Sequence, residues 1–142
     1  ARKLGLYFLL DLASLGVEFQ HSVIAAGRNV VEKKPETARR FIKALVEGIH
    51  AYKTDKDFGL RVLRKYLKTS DQEIIEETYD FYSGKVSPKP YPTVKGMQAV
   101  LGDLASRNPK AKDAPTSQLV NLTFLKELDE SGYIDRLYKT SR

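Results

Sequence analysis

Residues 35–50 read Pro-Glu-Thr-Ala-Arg-Arg-Phe-Ile-Lys-Ala-Leu-Val-Glu-Gly-Ile-His, and this stretch decides how the chain folds. Phe41, Leu45 and Ile49 recur every four residues, and apolar neighbours widen them into a broad stripe, which is typical of one face of an amphipathic helix. Pro35 suits the first position of a helix, and an acidic residue in the first turn complements the helix dipole. The stretch therefore predicts a helix that begins at Pro35.

Further apolar stripes with a helical period follow along the chain. They predict helices over residues 58–67, 74–82, 94–104 and 122–128, with a short helix or turn over 133–138. Thr54 with Asp57, and Ser70 with Glu73, have the spacing of capping boxes, which predicts where two of these helices begin. The chain from residue 28 onward is thus predicted to be helical, with about five helices.

A proline-rich loop separates the third and fourth of these helices. Pro88, Pro90 and Pro92 exclude a helix interior and predict an extended segment, within which lies Tyr91. Two interpretations are open for this loop. It is either a recognition arm or ligand lid, or a segment that wraps the core with its aromatic residue as an anchor.

The first 27 residues have a different character. The aromatic-rich run 7–10 and the run 22–26 are short, continuous and apolar, which is typical of strands covered on both faces, as in α/β sheets. We therefore predict an α/β fold class, predominantly helical, with one or two strands followed by about five helices. The longest apolar run, Leu4 to Leu10, is too short for a membrane-spanning helix, which needs about 20 apolar residues.

Composition excludes several kinds of chemistry within this sequence. The chain has 142 residues, 42% of them hydrophobic, which is enough for the core of one domain or a large piece of one. There is no Cys, so disulfides, thiolate zinc sites, iron–sulfur clusters and a cysteine nucleophile are excluded. The only histidines are His21 and His50, and the carboxylates Glu76, Glu77 and Asp80 are interpreted as helix-surface charge. We predict no metal site and no cofactor.

Charge is unevenly distributed along the chain. There are 24 Lys+Arg and 18 Asp+Glu, a net charge of +6. Residues 28–68 carry a net charge of +7, whereas residues 71–84 carry five acids and no base. Two interpretations are open for the basic block. It is either a face that binds phosphate or nucleic acid, or the solvated faces of two helices that lie beside an acidic helix. The second interpretation is favoured, because no nucleic-acid-binding motif accompanies the basic residues.

Three segments together resemble a known family. They are residues 5–20 (Gly-Leu-Tyr-Phe-Leu-Leu-Asp-Leu-Ala-Ser-Leu-Gly-Val-Glu-Phe-Gln), residues 28–45, in which Pro-Glu precedes Arg-Phe-Ile-Lys-Ala-Leu, and residues 131–135 (Ser-Gly-Tyr-Ile-Asp). In this order and spacing the chain is similar to the solute-binding proteins of ABC importers, in the subgroup related to thiamine-pyrimidine, nitrate and alkylsulfonate binders.

The resemblance implies a type II periplasmic-binding-protein fold of two α/β lobes, of which this chain is the C-terminal half. Residues 1–27 are then the strand and hinge segment that returns from the second lobe to the first, and residues 28–142 are the helical part of the first lobe. Ligands of the family lie between the lobes near the hinge crossings. The resemblance thus implies Phe19, Gln20 and His21 as ligand-binding residues.

The resemblance also implies a function without catalysis. The chain is expected to help capture a small organic molecule or oxyanion and deliver it to the membrane permease, in the periplasm or another extracytoplasmic location, either with or without a lipid anchor. Its expected partners are the ligand, the ABC permease, and the missing N-terminal half or another chain, but no nucleic acid. Two alternatives stay open, namely a pyrimidine-synthesis-type enzyme of the same superfamily and a basic helical nucleic-acid- or protein-binding module.

Overall fold

The structure is a computed structural model that describes residues 18–139 together with residues 5, 7, 9, 10, 15 and 16. Its helices are α1 (Arg28–Lys33), α2 (Pro35–Thr54), α3 (Lys56–Leu67), α4 (Gln72–Lys85), α5 (Val94–Ala105), α6 (Thr116–Leu119), α7 (Thr123–Glu130) and α8 (Tyr133–Lys139), with a 3-10 turn at Pro109–Ala111. The helix that begins at Pro35 is confirmed, and so are the five later ones, with ends that differ by at most three residues. The short helices α1 and α6 were not predicted individually.

The predicted α/β fold class is wrong, because the described residues are all-helical and include no strand. Residues 22–26 have no regular secondary structure, and neither do Tyr7, Leu9 and Leu10, while Phe8 of the first predicted strand lies outside the described residues. A strand is stable only when its backbone groups pair with neighbouring strands. The described part of the chain supplies no such partner, so apolar composition alone does not produce a sheet.

The chain divides into two compact units. The larger unit consists of residues 25–91 and 121–142, and the smaller unit of residues 1–24 and 92–120. The larger unit thus contains α1 to α4, the proline-rich loop, α7 and α8, while α5, the 3-10 turn and α6 belong to the smaller one. The sequence patterns do not predict that residues 92–120 group with the N-terminal segment.

The core of the larger unit forms around α2. Val46 on α2, Leu125 on α7 and Ile134 on α8 make a buried cluster, and Tyr91 of the proline-rich loop packs against it. These residues come from distant parts of the chain, so hydrophobic burial fixes α7 and α8 against α2. A second contact joins α3 and α4, where the buried ring of Tyr79 on α4 packs directly over Gly59 of α3.

Aspartates cap two of the helices in this unit. The side chain of Asp55 accepts a hydrogen bond from the Phe58 backbone N–H at 2.8 Å, and that of Asp71 accepts one from Ile74 at 3.3 Å. The two caps were therefore predicted one residue too early, at Thr54 and Ser70, and neither forms a capping box because the third residue after each aspartate is apolar. The Thr54 hydroxyl, for example, donates to a carbonyl one turn back within α2.

In the smaller unit, the segment before residue 24 crosses the first turn of α5. The backbone N–H of Gln20 donates to the Gly96 carbonyl at 3.3 Å. A Cβ at position 96 would lie 3.1 Å from the Gln20 nitrogen and 2.7 Å from Thr93 Oγ1, so any larger residue here would force the crossing segment or the Thr93 side chain to move. The crossing fixes the backbone of the residues predicted to bind ligand.

Candidate functional site

The predicted site residues Phe19, Gln20 and His21 lie together on the segment that crosses α5. Phe19 is 52% exposed and His21 is exposed, whereas Gln20 is half-buried. Gln20 Nε2 donates to the Ser22 carbonyl at 2.8 Å, and His21 Nδ1 lies 3.4 Å from the Ser22 hydroxyl. The structure thus presents an aromatic ring and an imidazole to solvent on a backbone anchored at Gln20.

Most basic side chains of α2 are paired with carboxylates. Arg39 Nε donates to a carboxylate oxygen of Glu127 on α7 at 2.8 Å, and Arg40 lies 3.7 Å from Glu36. The Glu127 carboxylate raises the pKa of Arg39, and the Arg39 guanidinium lowers the pKa of Glu127. This half of the basic block therefore agrees with the interpretation of solvated, locally neutralised helix faces.

A shallow groove of about 230 Å³ runs between α2 and α7. Its lining consists of Glu36, Arg39, Arg40, Lys43, Phe124, Glu127 and Leu128. The buried ring of Phe124 forms an apolar floor, and the guanidinium of Arg39 lies 5.6 Å from its centre. Three cations and two carboxylates line the groove, so a bound anion would compete with ion pairs that already exist.

The proline-rich loop is tied to α7 and α8 by ion pairs. Lys89 Nζ lies 2.6 Å from Asp129 and 2.9 Å from Asp135, and the Tyr91 hydroxyl donates to Asp129 at 3.0 Å. These contacts raise the pKa of Lys89, and they lower the pKa of Asp129 chiefly through its hydrogen bond with Lys89. The loop therefore wraps the core with Tyr91 as its anchor, and the interpretation as a free recognition arm is not supported.

A second, open groove of about 740 Å³ lies beside this loop. It is lined by Ser87, Pro88, Lys89, Ile134, Asp135, Tyr138 and Lys139. The hydroxyl of Tyr138 is buried and has no hydrogen-bond partner among the described residues, while the Tyr138 ring packs edge-on against His50 at 4.8 Å. Two aspartates neutralise Lys89, which leaves the exposed Lys139 as the other cation of the groove lining.

The end of α3 differs from α2 in its charges. Arg61, Arg64, Lys65 and Lys68 are exposed, and no carboxylate of the described residues lies within ion-pair distance of them. Arg64 has a neutral partner, since it donates a hydrogen bond to the Gln72 amide oxygen at 2.7 Å. The sequence showed these cations but could not separate them from the paired ones on α2.

The carboxylates of α4 behave as surface charge. Glu76 accepts a hydrogen bond from Gln72 at 2.6 Å, and Asp80 pairs with Lys56 at 3.2 Å. Within the part of the chain that the structure describes, no group of His, Cys, Asp or Glu side chains could hold a metal ion. Nor is any described helix both long enough and apolar enough to cross a bilayer.

Comparisons with family models, with curated proteins and with solved structures find no match for this chain.

Proposed function

We propose that the chain is part of the solute-binding component of an ABC importer and that Phe19, Gln20 and His21 form one wall of its ligand site. The observation that carries the proposal is the crossing at Gly96, where one backbone hydrogen bond anchors this segment while leaving Phe19 and His21 accessible. A fixed backbone with accessible side chains lowers the entropy lost when a ligand binds.

The three side chains suit a small aromatic or oxyanionic solute. Phe19 offers a face for stacking on a planar ring. The imidazole of His21 can donate or accept a hydrogen bond, according to its tautomer, and the Gln20 amide can do both. In this proposal the protein binds its solute without converting it and releases it to the membrane permease, outside the cytoplasm.

The proposal requires a second wall, since a small-molecule site buries most of its ligand. Val23 is 65% exposed, and Ile24, Leu9 and Leu10 are also exposed, so this segment has apolar side chains that the described residues do not cover. We assign the second wall to another part of a longer polypeptide or to another chain that packs on this segment. Closure of the two walls would then exclude water and strengthen the polar contacts with the solute.

A thermal-shift screen tests this proposal directly. The chain, and any longer product of its gene, is screened against pyrimidines, alkylsulfonates, nitrate and aromatic acids. A true ligand at a hundredfold excess over its Kd stabilises the protein by about 2.7 kcal/mol. The absence of stabilisation by any of these solutes would count against the proposal.

Variants then locate the site. Phe19→Ala and His21→Ala are each expected to weaken binding of the identified solute about fivefold, through lost stacking and a lost hydrogen bond, each of which contributes about 1 kcal/mol. Tyr66→Ala is the matched control, since it removes an exposed aromatic ring from α3 in the other unit. Equal affinity in all three variants would place the solute elsewhere.

A further inference from the structure

The last turn of α3 is exposed on every side. Residues 64–68 are all exposed, and the four of them that belong to α3 (residues 64–67) cover slightly more than one full turn of the helix. Its apolar side chains are exposed too, with Tyr66 at 74% and Leu67 at 47%. We call residues 64–68 together with Arg61 the α3 tip.

Three of the four cations of the α3 tip share one side of the helix. Arg61, Arg64 and Lys65 follow the i, i+3, i+4 spacing, which places them within an arc of about 100°. Lys68 follows directly after the helix as its left-handed C-cap. The buried Gly59 lies on the opposite side of α3. The cationic side of α3 therefore faces away from the core of the larger unit.

These cations are not neutralised in the way that those of α2 are. Arg39 and Arg40 have carboxylates within 4 Å, whereas no carboxylate of the described residues lies that close to the cations of the α3 tip. Lys65 Nζ lies 5.6 Å over the ring of Tyr66. Asp71 and Glu73 begin α4 at the same end and reduce the local charge, but four cations still exceed two acids.

We propose that the α3 tip docks onto an anionic phospholipid surface. The contact is end-on, because Tyr66 follows Gly59 by seven residues and therefore lies on the side of α3 opposite the cations. The four cations would meet lipid phosphates, while Tyr66 and Leu67, on other sides of the same exposed turn, would enter the headgroup layer, where amphipathic and apolar side chains are stabilised. The exposed leucine favours a lipid surface over nucleic acid, because a phosphate backbone offers nothing for Leu67 to bury against.

This inference rests on the proposed function for its membrane setting. A solute-binding protein held at the membrane surface stays close to its permease. Because the α3 tip lies in the larger unit and Phe19–His21 in the smaller one, vesicle binding and solute binding can be measured separately.

The test is co-sedimentation of the full chain with vesicles made of equal parts phosphatidylglycerol and phosphatidylcholine. We expect binding that weakens as the Debye length falls from about 30 Å at 0.01 M salt to about 8 Å at 0.15 M. Binding to pure phosphatidylcholine vesicles is expected to be at least about tenfold weaker, since the neutral surface lacks the attraction for the four cations.

A pair of double variants distinguishes the contribution of the α3 tip to vesicle binding from the effect of net charge. Lys65→Gln with Lys68→Gln is expected to weaken binding about 30-fold, since each cation near an anionic surface contributes about fivefold. Arg40→Gln with Lys43→Gln is the matched control, because it lowers the net charge equally but removes cations that lie near carboxylates. We expect the control to bind nearly as well as the unaltered chain.

The apolar contribution has its own variant. Tyr66→Ser with Leu67→Ser should reduce binding at both salt concentrations, because apolar burial is not screened by salt. Circular dichroism melts establish that each variant is folded. If the cationic double variant is not, Lys65→Gln alone replaces it, Arg40→Gln alone then serves as its control, and Leu67→Ser alone replaces an unfolded Tyr66→Ser with Leu67→Ser.

Three results would overturn the inference. They are no binding to anionic vesicles at low salt, equal losses in the tip and control variants, and tighter binding to duplex DNA that Tyr66→Ser with Leu67→Ser leaves unchanged. Absent vesicle binding with solute stabilisation intact refutes only the docking inference. Vesicle binding without any solute stabilisation supports docking and counts against the proposed function.

Discussion

Gly59→Ala tests the packing of α3 on α4 most directly. A Cβ at position 59 would lie 2.7 Å from Tyr79 Cδ2, closer still to Tyr79 Cε2, and 3.4 Å from Tyr52 Cδ2. Tyr79 is only 6% exposed, and its ring centre lies 5.2 Å from that of Tyr52, so the ring has little room to move. The substitution therefore overpacks a buried aromatic contact.

The magnitude follows from two opposing effects. Overpacking of a filled core costs about 1–3 kcal/mol, and the short distances at Gly59 place this site in the upper half of that range. Alanine in place of glycine within a helix gains about 1 kcal/mol. We expect Gly59→Ala to lower the free energy of unfolding by about 1–2 kcal/mol.

Gly48→Ala is the matched control for this experiment. Gly48 lies within α2, and a Cβ there would meet no atom within 4 Å, so only the gain in helix propensity remains. We expect it to raise the free energy of unfolding by about 1 kcal/mol. Urea unfolding followed by far-ultraviolet circular dichroism measures both variants. The reasoning is refuted if Gly59→Ala is as stable as Gly48→Ala.

Three further predictions concern caps, ion pairs and buried hydroxyls. Thr93→Ala removes the side chain that accepts from the Gly96 N–H at 3.0 Å, so it should cost about 1 kcal/mol in thermal melts, whereas Thr93→Asp should retain most of the stability. Lys89 lowers the pKa of Asp129, so the ionised Asp129 stabilises the fold above the usual aspartate pKa, and this stabilisation is lost as the pH falls through the lower pKa of the folded state. The urea midpoint should therefore fall less steeply with decreasing pH in Asp129→Asn than in the unaltered chain. Parallel curves for the two proteins would contradict this prediction. Tyr52→Phe removes a buried hydroxyl that has no partner among the described residues, so urea titration should show no loss of stability, and a loss above about 1 kcal/mol would reveal a missed hydrogen bond.

The helices were predictable because their signals are local. The apolar stripe of residues 35–50 and the position of Pro35 both lie within α2 itself. The caps were harder to predict, since Thr54 and Asp55 are neighbours that both bear capping side chains. The structure shows that the carboxylate of Asp55 accepts the hydrogen bond while Thr54 remains helical.

The strands were wrongly predicted for a different reason. An apolar run such as residues 22–26 is compatible with a buried strand, but a strand also needs partners that the run itself does not encode. Among the described residues these partners are absent and Val23 is exposed. The predicted ligand residues Phe19, Gln20 and His21 came from the family resemblance. The hydrogen bond between Gln20 and Gly96 that anchors their backbone has no motif in the sequence that predicts it.

The sequence by itself determined the helical course of the chain from residue 28 onward, because helical periodicity and proline positions act over a few residues. Only the tertiary structure decided which charges are neutralised. The sequence places Arg39 and Arg61 in one basic block, yet Arg39 finds Glu127 across 88 residues of chain. Such pairing depends on the docking of α7 against α2 through Val46 and Leu125, which is a product of hydrophobic burial between distant segments. For the same reason, the cationic α3 tip became distinguishable only once the helices were packed.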